Sequence, residues 1–415
     1  MPDADDSGLA SPAPRDTGAE VSLPVLRLKR HEDRRLQAGH LWVFSNEVDT
    51  AATPLEQFLP GALVAVRSDR DRFLGYAYVN PHSLISARIL SRRPEQPPGK
   101  PLLVHRLNLA LALRTRLYPQ PYYRLVHGEA DGLPGLVLDR YGDLIVGQIG
   151  TVGMEAQREL IVAALEQVLA PAAIVWKNDS LARELEQLPK YVVAARGELP
   201  AEVRVLEDGL EFRAPLGGGQ KTGWFYDQTA NRDLFLTRAR GVERVLDVFS
   251  YVGAWGVRAA RDGAEVTCID SSAAALETAS ANALANGFKL TTLNADAFVA
   301  LEELNAAGQR FDLVIVDPPA FIKRRKDLGK GEAAYRRLNQ LAMQLLSGDG
   351  LLVSCSCSYH LPPEALAGAI QKAGRHLGRA VQLLATGGQG PDHPVHPAIP
   401  ESRYLKAFLC RVTRD

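Results

Sequence analysis

A strand, a glycine-containing turn, a helix and a second strand follow one another within residues 242–270. Both strand segments are apolar, and the second one ends in a carboxylate. Strands that are joined through a helix run parallel, and a parallel sheet is covered on both faces. Strands and helices continue to alternate after about residue 203, and this pattern predicts an α/β fold with a doubly wound parallel sheet.

The strands predicted for this sheet are short apolar segments. They cover residues 243–248, 265–270, 289–293, 311–316 and 351–356, and an antiparallel pair that ends over residues 404–412 closes the sheet. A helix is predicted from Ser272 to Asn286, since Ser is a favoured N-cap and Gly287 a favoured stop.

The turn after the first strand lacks the full glycine pattern of a dinucleotide site. It contains Gly253 and Gly256, but Tyr251 stands where a third glycine is expected. Because these glycines let the backbone approach a pyrophosphate, a pyrophosphate ligand is disfavoured. Asp270, at the end of the second strand, is placed to accept hydrogen bonds from ribose hydroxyls. A nucleoside without phosphates, such as S-adenosylmethionine, fits both observations.

A second carboxylate ends the strand that reads F-D-L-V-I-V-D-P-P. Asp317 lies at the carboxyl end of this strand, where open α/β sheets bind their ligands. Pro318 and Pro319 restrict the backbone that follows, so it can be held rigidly against a planar base or a sulfonium methyl. We expect Asp317 to hydrogen-bond the polar edge of a base.

Two thiols lie at the end of the strand that Gly350 is predicted to open. A cysteine in this position is a candidate nucleophile. Cys355 and Cys357 share one face of a strand, and Cys357 is favoured because it lies closer to the end. The alternative is that both are small core residues.

The net charge of the chain restricts how it can bind a polyanion such as RNA. The 48 basic and 48 acidic residues give a net charge of zero, so a polyanion must be bound by local basic clusters. One cluster contains Arg27, Lys29, Arg30, Arg34 and Arg35, and the other contains Lys323, Arg324, Arg325, Lys326, Lys330, Arg336 and Arg337. The second follows Asp317 directly, where it could meet RNA phosphates. The alternative for each cluster is an ordinary solvated face.

Cysteine usage and the absence of apolar segments indicate a cytoplasmic protein. The four cysteines lack the spacing of a disulfide framework, and no signal peptide or membrane-spanning run is recognisable. No metal site is predicted, because the Cys and His pairs are isolated. The first 22 residues are predicted to be a disordered tail.

Four further segments are distinguished along the chain. Short strands predict a small β domain at 23–92, a proline-rich linker follows at 93–101, a middle α+β domain covers 102–202, and the doubly wound domain covers 203–415. In the middle domain nothing is predicted to be catalytic, and polar residues there are interpreted as turn and capping residues: Asp131, Asp139, Arg140 and Asp143.

Five blocks of sequence resemble a known family. They are R-L-Q-A-G-H-L-W-V-F-S-N-E-V (35–48), F-L-G-Y-A-Y-V-N-P-H-S (73–83), V-H-G-E-A-D-G-L-P-G-L-V-L-D-R-Y-G-D (126–143), G-Q-K-T-G-W-F-Y-D-Q-T-A-N-R (219–232) and D-H-P-V-H-P-A-I-P-E-S-R-Y-L-K (392–406). The chain is similar in these blocks to the class I methyltransferases that form 5-methylcytosine in large-subunit (23S) ribosomal RNA and carry an N-terminal PUA domain.

The resemblance implies an RNA-binding PUA-like domain, a Rossmann-like catalytic domain and S-adenosylmethionine as cofactor. The RNA contacts predicted from the two basic clusters are those of Arg27, Lys29, Arg30, Lys323, Arg324, Arg325 and Lys326. The resemblance implies cofactor contacts by Asp247, Phe249, Tyr251, Gly253, Asp270, Ser271, Asp296, Ala297, Asp317 and Pro318. Asp296 has the alternative role of a helix N-cap.

The resemblance also bears on the two thiols. In related RNA cytosine methyltransferases the nucleophile lies seven positions after the glycine that opens the strand, which corresponds to Cys357 here. Many relatives carry a second cysteine after the two prolines, whereas this chain has Ala320. Either Cys355 replaces that thiol in product release, or water or a carboxylate acts as the base.

Three alternative functions differ in what they require. A methyltransferase that modifies a purine nitrogen needs no thiol, and a catalytically silent RNA-binding assembly factor needs no reactive group. A nicotinamide dehydrogenase is disfavoured by Tyr251. Which cytosine is modified and whether the chain forms a homodimer stay open.

Overall fold

The computed structural model describes residues 22–217 and 222–414. These residues belong to two compact units, Met1–Leu102 and Leu103–Asp415. The tail predicted for residues 1–22 lies outside the described residues except for its last position. The four predicted boundaries between domains stay predictions.

The first unit is built on a five-stranded sheet. Its elements are β1 (Val25–Arg27), α1 (Arg34–Gln37), β2 (Trp42–Phe44), β3 (Leu63–Arg67), β4 (Phe73–Val79) and β5 (Ile85–Ser91). The strand order is β1-β3-β4-β5-β2, and only the β1–β3 pair among the described strands of this sheet is parallel. Fully buried Val43, Val64 and Ala77 form part of its core. The predicted small β domain is confirmed.

The second unit begins with a mixed α+β segment. Its elements are α2 (Lys100–Leu117), β6 (Tyr122–His127), β7 (Leu136–Tyr141), β8 (Leu144–Ile149), α3 (Val152–Ala156), α4 (Arg158–Leu169), β9 (Ala173–Asn178), α5 (Ala182–Leu185) and β10 (Tyr191–Arg196). They form a sheet in the order β10-β9-β8-β7-β6. Most β10 residues are exposed, so that strand has no clear apolar alternation.

Two acidic residues of this segment pair with buried arginines. Asp131 accepts from Arg114 at 2.6 Å, and Asp139 accepts from Arg124 at 2.5 Å. Arg114 is completely buried. The interpretation of Asp139 as a turn or capping residue was therefore wrong, because its main partner is the buried guanidinium group of Arg124. Asp131 combines both roles, since its Oδ2 also accepts from the backbone amide of His127 at 2.6 Å, a local turn contact of the predicted kind.

The remaining elements form the doubly wound domain. They are β11 (Glu202–Glu207), β12 (Leu210–Pro215), α6 (Thr229–Arg238), β13 (Arg244–Val248), α7 (Ala254–Arg261), β14 (Glu265–Asp270), α8 (Ala273–Ala285), β15 (Thr291–Asn294), α9 (Ala297–Ala306), β16 (Phe311–Val316), α10 (Leu328–Gln344), β17 (Leu346–Ser356), α11 (Pro363–His376), β18 (Arg379–Gly388) and β19 (Lys406–Arg414). Seven strands make one sheet in the order β15-β14-β13-β16-β17-β19-β18. The strands from β13 to β17 are parallel, and β19 is antiparallel to both its neighbours. The predicted fold class is confirmed.

Packing covers both faces of this sheet. One face buries Leu246 and Val248 of β13 against α9, α10 and α11, and the other buries Val245 against α6 and α7. Because four parallel strands are held in one register, the carboxyl ends of β13, β14, β16 and β17 lie along a single edge.

Local signals predicted α8 accurately and β17 less so. Ser272 caps α8 by accepting from the amide of Ala275, and Gly287 follows the helix with a φ of 82°. However, β17 begins at Leu346, so Gly350 lies inside the strand and does not open it. A register shift in the pairing with β16 accommodates the longer strand.

A buried ion network joins the β11–β12 hairpin to α6 and α7. Glu207 accepts two hydrogen bonds of 2.6 Å from Arg232 and one of 3.1 Å from Arg258. Trp224 and Thr229 also donate to Glu207. Burial alone would raise the pKa of Glu207, but the two guanidinium groups outweigh burial and lower its pKa to about 2.

The variant Glu207→Gln should lower the free energy of unfolding by about 3 to 5 kcal/mol, because it removes the carboxylate that pairs with buried Arg232. Arg258 keeps its pairs with Asp208 and Asp233. The carboxylate stabilises the fold fully above the ordinary Glu pKa of 4.5, and this contribution is lost as the pH falls toward 2. Denaturant titrations at pH 7 and pH 3 should therefore give a smaller difference between the variant and the wild type at pH 3.

Glu211→Gln is the matched control. Glu211 lies on the same hairpin, but its pair with Arg204 is exposed, so the change should cost less than about 1 kcal/mol. Equal effects of the two variants would contradict a stabilising role of the buried network.

Candidate active site

The turn between β13 and α7 has an unusual backbone. Phe249, Tyr251 and Gly253 all have positive φ, at 65°, 49° and 82°. For the first two residues this conformation is strained, and it requires support from the surroundings. The amide of Tyr251 donates to Oδ2 of Asp270 at 2.9 Å, and its hydroxyl donates to the carbonyl of Gly223 at 3.1 Å.

Asp247 lies under this turn. The amide of Gly256 donates to its Oδ2 at 3.0 Å. A Cβ atom at position 256 would lie 2.8 Å from Sγ of Cys268, so only glycine lets α7 approach this closely. Within residues 22–217 and 222–414, no donor reaches Oδ1 of Asp247. Burial raises the pKa of Asp247 to about 7.

Asp270 connects the turn between β13 and α7 to the start of α8. Its Oδ2 accepts from Tyr251, and its Oδ1 accepts from the amide of Ser272 at 2.9 Å. Asp270 is half-buried, and the adjacent Ser271 is exposed. Each carboxylate oxygen has a second lone pair, so these contacts are compatible with the predicted ribose contact, which stays a prediction.

Asp296 caps α9. Its Oδ1 accepts from the amides of Phe298 and Val299 at 2.9 and 3.3 Å. Of the two roles that the sequence left open, the N-cap is therefore present. The contact with an adenine amine stays a prediction, as does a contact at Ala297, the buried first residue of the helix.

Asp317 lies at the end of β16 between two fixed donors. Nε2 of Gln228 donates to its Oδ1 at 2.8 Å, and Nε1 of Trp255 donates to its Oδ2 at 3.3 Å. Gln228 and Trp255 were not among the predicted site residues. The sequence contained no local signal for these contacts, because the three residues lie on different elements.

Cys357 is the residue directly after β17. It is half-buried, and its Sγ lies 3.9 Å from the carbonyl oxygen of Pro318, a contact that joins the ends of β16 and β17. Buried hydroxyls hold the residues on either side of Cys357: Ser356 donates to Tyr335 at 2.8 Å, and Ser358 lies 2.9 Å from the same hydroxyl.

Cys355 has a different environment. It is completely buried. Burial, followed by the charge of Asp317, raises its pKa well above the ordinary value. An inaccessible thiol that resists ionisation is poorly suited to attack a base or to remove a proton. The environment of Cys355 therefore argues against its predicted catalytic role.

Lys406 lies close to this loop at the start of β19. Its Nζ donates to the carbonyls of Ser358 and Tyr404. Burial lowers the pKa of Lys406 to about 8, and the charge of Cys357 opposes that change. Sequence reasoning did not single out Lys406.

The first four residues of the second basic cluster follow Asp317 on an exposed loop, whereas Lys330, Arg336 and Arg337 lie in α10. The side chains from position 323 to 326 are all exposed. Arg324 pairs with Asp327 at 3.1 Å, an exposed contact within the same loop. The loop leads into α10, and its cations face solvent where a polyanion could reach them.

The predicted basic residues of the first unit differ in their surroundings. Arg27 pairs with Asp71 at 2.7 Å, and Lys29 donates to the carbonyl of Asn46 at 2.9 Å. Arg30 is exposed. Part of this cluster thus stabilises its own domain, and RNA contact by its members stays a prediction.

Comparison with known families identifies both parts of the chain. Residues 26–92 match a PUA-like domain. Residues 124–409 match the S-adenosylmethionine-dependent methyltransferase family. The chain belongs to this methyltransferase family. Its cofactor is S-adenosylmethionine.

Curated relatives resemble the methyltransferase over almost its whole length. Ribosomal RNA large subunit methyltransferase I of Vibrio cholerae is 35% identical over 400 residues, which cover 94% of this chain and 99% of the relative. The protein of the same name from Aliivibrio fischeri is 35% identical over 393 residues, which cover 93% and 98%.

Two solved structures share the fold. One is a putative methyltransferase complexed with SAH, with a TM-score of 0.79 and 23% identity over 94% of this chain and all of that one. The other is a putative S-adenosylmethionine-dependent methyltransferase from Streptococcus mutans, with a TM-score of 0.78, 22% identity and the same coverage.

The residues around the turn fit this cofactor. Oδ1 of Asp247 is a buried acceptor that a cationic donor such as the methionine ammonium of the cofactor would satisfy. Asp270 offers carboxylate lone pairs for ribose hydroxyls. Neither of these two contacts requires the glycine that would bind a phosphate and whose place Tyr251 takes.

Among residues 22–217 and 222–414, no three His, Cys, Asp or Glu side chains are grouped so that they could hold a metal ion. In these residues no helix has the length and apolar character needed to cross a bilayer.

Asp270→Ala should weaken S-adenosylmethionine binding by about 1 to 3 kcal/mol, because the variant removes charged acceptors and also releases the turn at Tyr251. Titration calorimetry measures the change. The control Asp262→Ala, which removes an acid at the end of α7, should leave the affinity unchanged. Equal affinity of the Asp270→Ala variant and the wild type would exclude Asp270 from the cofactor site.

Proposed function

We propose that this methyltransferase modifies C5 of a cytosine in large-subunit ribosomal RNA through a covalent adduct of Cys357. The observation that carries the proposal is the half-buried thiol directly after β17, next to the loop that follows Asp317. Attack at a nitrogen needs no thiol, whereas C5 of cytosine is a weak nucleophile that must be activated. The names of the curated relatives support ribosomal RNA as the substrate.

The reaction has a definite order of bonds. Cofactor bound beside the turn supplies an electrophilic methyl group on a sulfonium centre. The Cys357 thiolate adds to C6 and shifts an electron pair to C5. C5 then forms the bond to the methyl group as the bond between that methyl group and the sulfonium sulfur breaks, and the electron pair of the broken bond stays on sulfur, which leaves as a neutral thioether. Loss of the C5 proton returns its electron pair to the ring, and the bond from C6 to sulfur breaks to release the thiolate.

Two charged groups assist this proposed chemistry. Lys406 places a cation near Cys357, and a cation beside a thiol favours the nucleophilic thiolate. Asp317, held at both oxygens, would hydrogen-bond the polar edge of the cytosine as charge develops on the ring. Because Cys355 is buried and Ala320 carries no acid–base group, water or a carboxylate is the proposed acceptor of the C5 proton.

The RNA would reach this site along the exposed basic loop that begins at Lys323. Cations there lie a few residues from Asp317 in the chain, so they would contact phosphates close to the target nucleotide. The PUA-like domain is the second proposed RNA-binding surface. Because the protein has no net charge, local contacts of this kind must supply the electrostatic part of the affinity.

RNA that contains 5-fluorocytosine should trap Cys357. Fluorine at C5 cannot leave as a proton, so methyl transfer should leave the protein attached to the RNA. The wild type and Cys355→Ala should both give a slowly migrating adduct on a denaturing gel. Cys357→Ala should give none while it still binds S-adenosylmethionine.

Two results would change the proposal in different ways. A Cys357→Ala variant that methylates ribosomal RNA normally would refute covalent catalysis and favour a nitrogen target. An adduct that accumulates in Cys355→Ala with ordinary cytosine would restore Cys355 to a role in product release.

Neutralising Lys323, Arg324, Arg325 and Lys326 should weaken RNA binding and flatten the dependence of log K on log salt by up to about 0.9 for each phosphate that the loop no longer neutralises. Cofactor affinity should not change. The control replaces four exposed arginines elsewhere in the domain, Arg204, Arg213, Arg238 and Arg240. Identical slopes for the two variants would make the loop an ordinary solvated face.

A further inference from the structure

A chain of side-chain amides connects β18 to Asp317. The backbone amide of Gly388 donates to Oδ1 of Asn231 at 2.9 Å, and Nδ2 of Asn231 donates to Oε1 of Gln228 at 2.6 Å. Nε2 of Gln228 then donates to Oδ1 of Asp317 at 2.8 Å. Asn231 and Gln228 are 1% and 3% exposed, so water does not compete for these contacts.

The direction of every bond in this chain is fixed by its first member. A backbone N–H can only donate, so the atom of Asn231 that faces Gly388 must be its oxygen. The amino group of Asn231 therefore faces Gln228, which must present its own oxygen. The amino group of Gln228 is consequently directed at Asp317.

Close packing prevents the first amide from turning over. A Cβ atom at Gly387 would lie 2.1 Å from Oδ1 of Asn231 and 2.9 Å from Phe235. The glycine backbone of β18 thus lies directly against Asn231. If Asn231 flipped, its amino group would face the N–H of Gly388, and both of these donors would lose their acceptors.

This polarity determines what Asp317 can recognise. Its Oδ1 meets the donor Gln228 and its Oδ2 meets the donor Trp255, and both contacts favour the carboxylate over the protonated acid. A carboxylate can accept from the exocyclic amine of cytosine, whereas O4 of uracil is itself an acceptor. A uracil in the same position would require a protonated Asp317.

We infer that Gln228 and Asn231 are positioning residues that select cytosine over uracil by holding Asp317 as an acceptor. The inference rests on the proposed C5 reaction, which is chemically open to both pyrimidines. Selection of the base therefore depends on the polarity of the amide chain and not on the thiol.

Asn231→Asp reverses the polarity without changing the shape. Both oxygens of the new carboxylate are acceptors, so Gln228 must turn its amino group toward position 231 and its oxygen toward Asp317. The oxygen of Gln228 and the carboxylate of Asp317 then face each other as two acceptors. Protonation of Asp317 turns it into a donor and removes this repulsion. Large-subunit ribosomal RNA transcripts with cytosine or uracil at the mapped target are the substrates, and nucleoside mass spectrometry identifies 5-methylcytidine and 5-methyluridine.

The ratio of kcat/KM for cytosine over uracil should fall at least about tenfold in Asn231→Asp. Gln228→Glu, which also removes the donor to Asp317, should lower the same ratio and provides a second variant if the first does not fold. Asn286→Asp is the matched control, because Asn286 also accepts from a backbone amide, that of Glu211, but it lies at the carboxyl end of α8, outside the chain of amides that leads to Asp317. It should retain the ratio of the wild type.

Infrared difference spectra test the polarity without RNA. Subtracting the spectrum of Asn231→Asp combined with Asp317→Asn from that of Asn231→Asp should leave a carboxylic-acid band. The difference between the wild type and Asp317→Asn, recorded above the pKa of Asp247 so that Asp247 is ionised in both, should leave none.

The possible failures are distinct. A wild type that forms no 5-methylcytidine overturns the proposed function, and the infrared comparison still decides the protonation of Asp317. A folded Asn231→Asp variant that keeps the selectivity of the wild type, or that gives no acid band, overturns the amide chain as the basis of selection.

Discussion

The parallel register of β13, β14, β16 and β17 is the constraint on which the site depends. It places the four strand ends on one edge, although the first and the last of them lie more than a hundred positions apart in the chain, at Val248 and Ser356. Each strand end carries one chemical group: Asp247 and its turn, Asp270, Asp317 and Cys357. Burial of both faces by helices makes a shift of register costly, so the spacing of these groups is fixed by the core.

Two further elements, α6 and β18, orient the hydrogen bonds that Asp317 accepts at this edge of the sheet. Residues of α6 and of the segment before it contact two parts of the domain. Gln228 and Asn231 form the hydrogen-bond chain that leads to Asp317, whereas Arg232 pairs with Glu207. One short helix thus links the hydrogen bonds of the site to the buried charges of the β11–β12 hairpin. Antiparallel β18 supplies the backbone donor that orients the first amide. The direction of the hydrogen bonds that reach Asp317 is therefore set by a backbone N–H group, which can only donate.

Sequence reasoning succeeded where the signal was local. The apolar runs of the central strands, the cap of α8 by Ser272 and the acids at the strand ends all depend on nearby residues. The N-cap role of Asp296 was likewise one of two roles that the sequence allowed. These features follow from periodicity and capping, which are properties of a short window.

What the sequence did not predict depends on contacts between distant segments. Asp139 was interpreted as a turn residue because its partner Arg124 could not be recognised. Gln228 and Trp255 lie 89 and 62 positions from Asp317, and no pattern links them. The position in the strand predicted that Cys357 is the more accessible of the two thiols. The complete burial of Cys355 could not be predicted, because it arises only when β17 is packed between its neighbours.

The identity of the methylated atom can be measured directly with ribosomal RNA that carries tritium at C5 of its cytosines. Incubation with the protein and S-adenosylmethionine should release one tritium into water for each methyl group transferred, because C5 must lose its hydrogen when it gains the methyl group. Methyl transfer that leaves all of the tritium in the RNA would contradict a C5 reaction and assign the methylation to another atom.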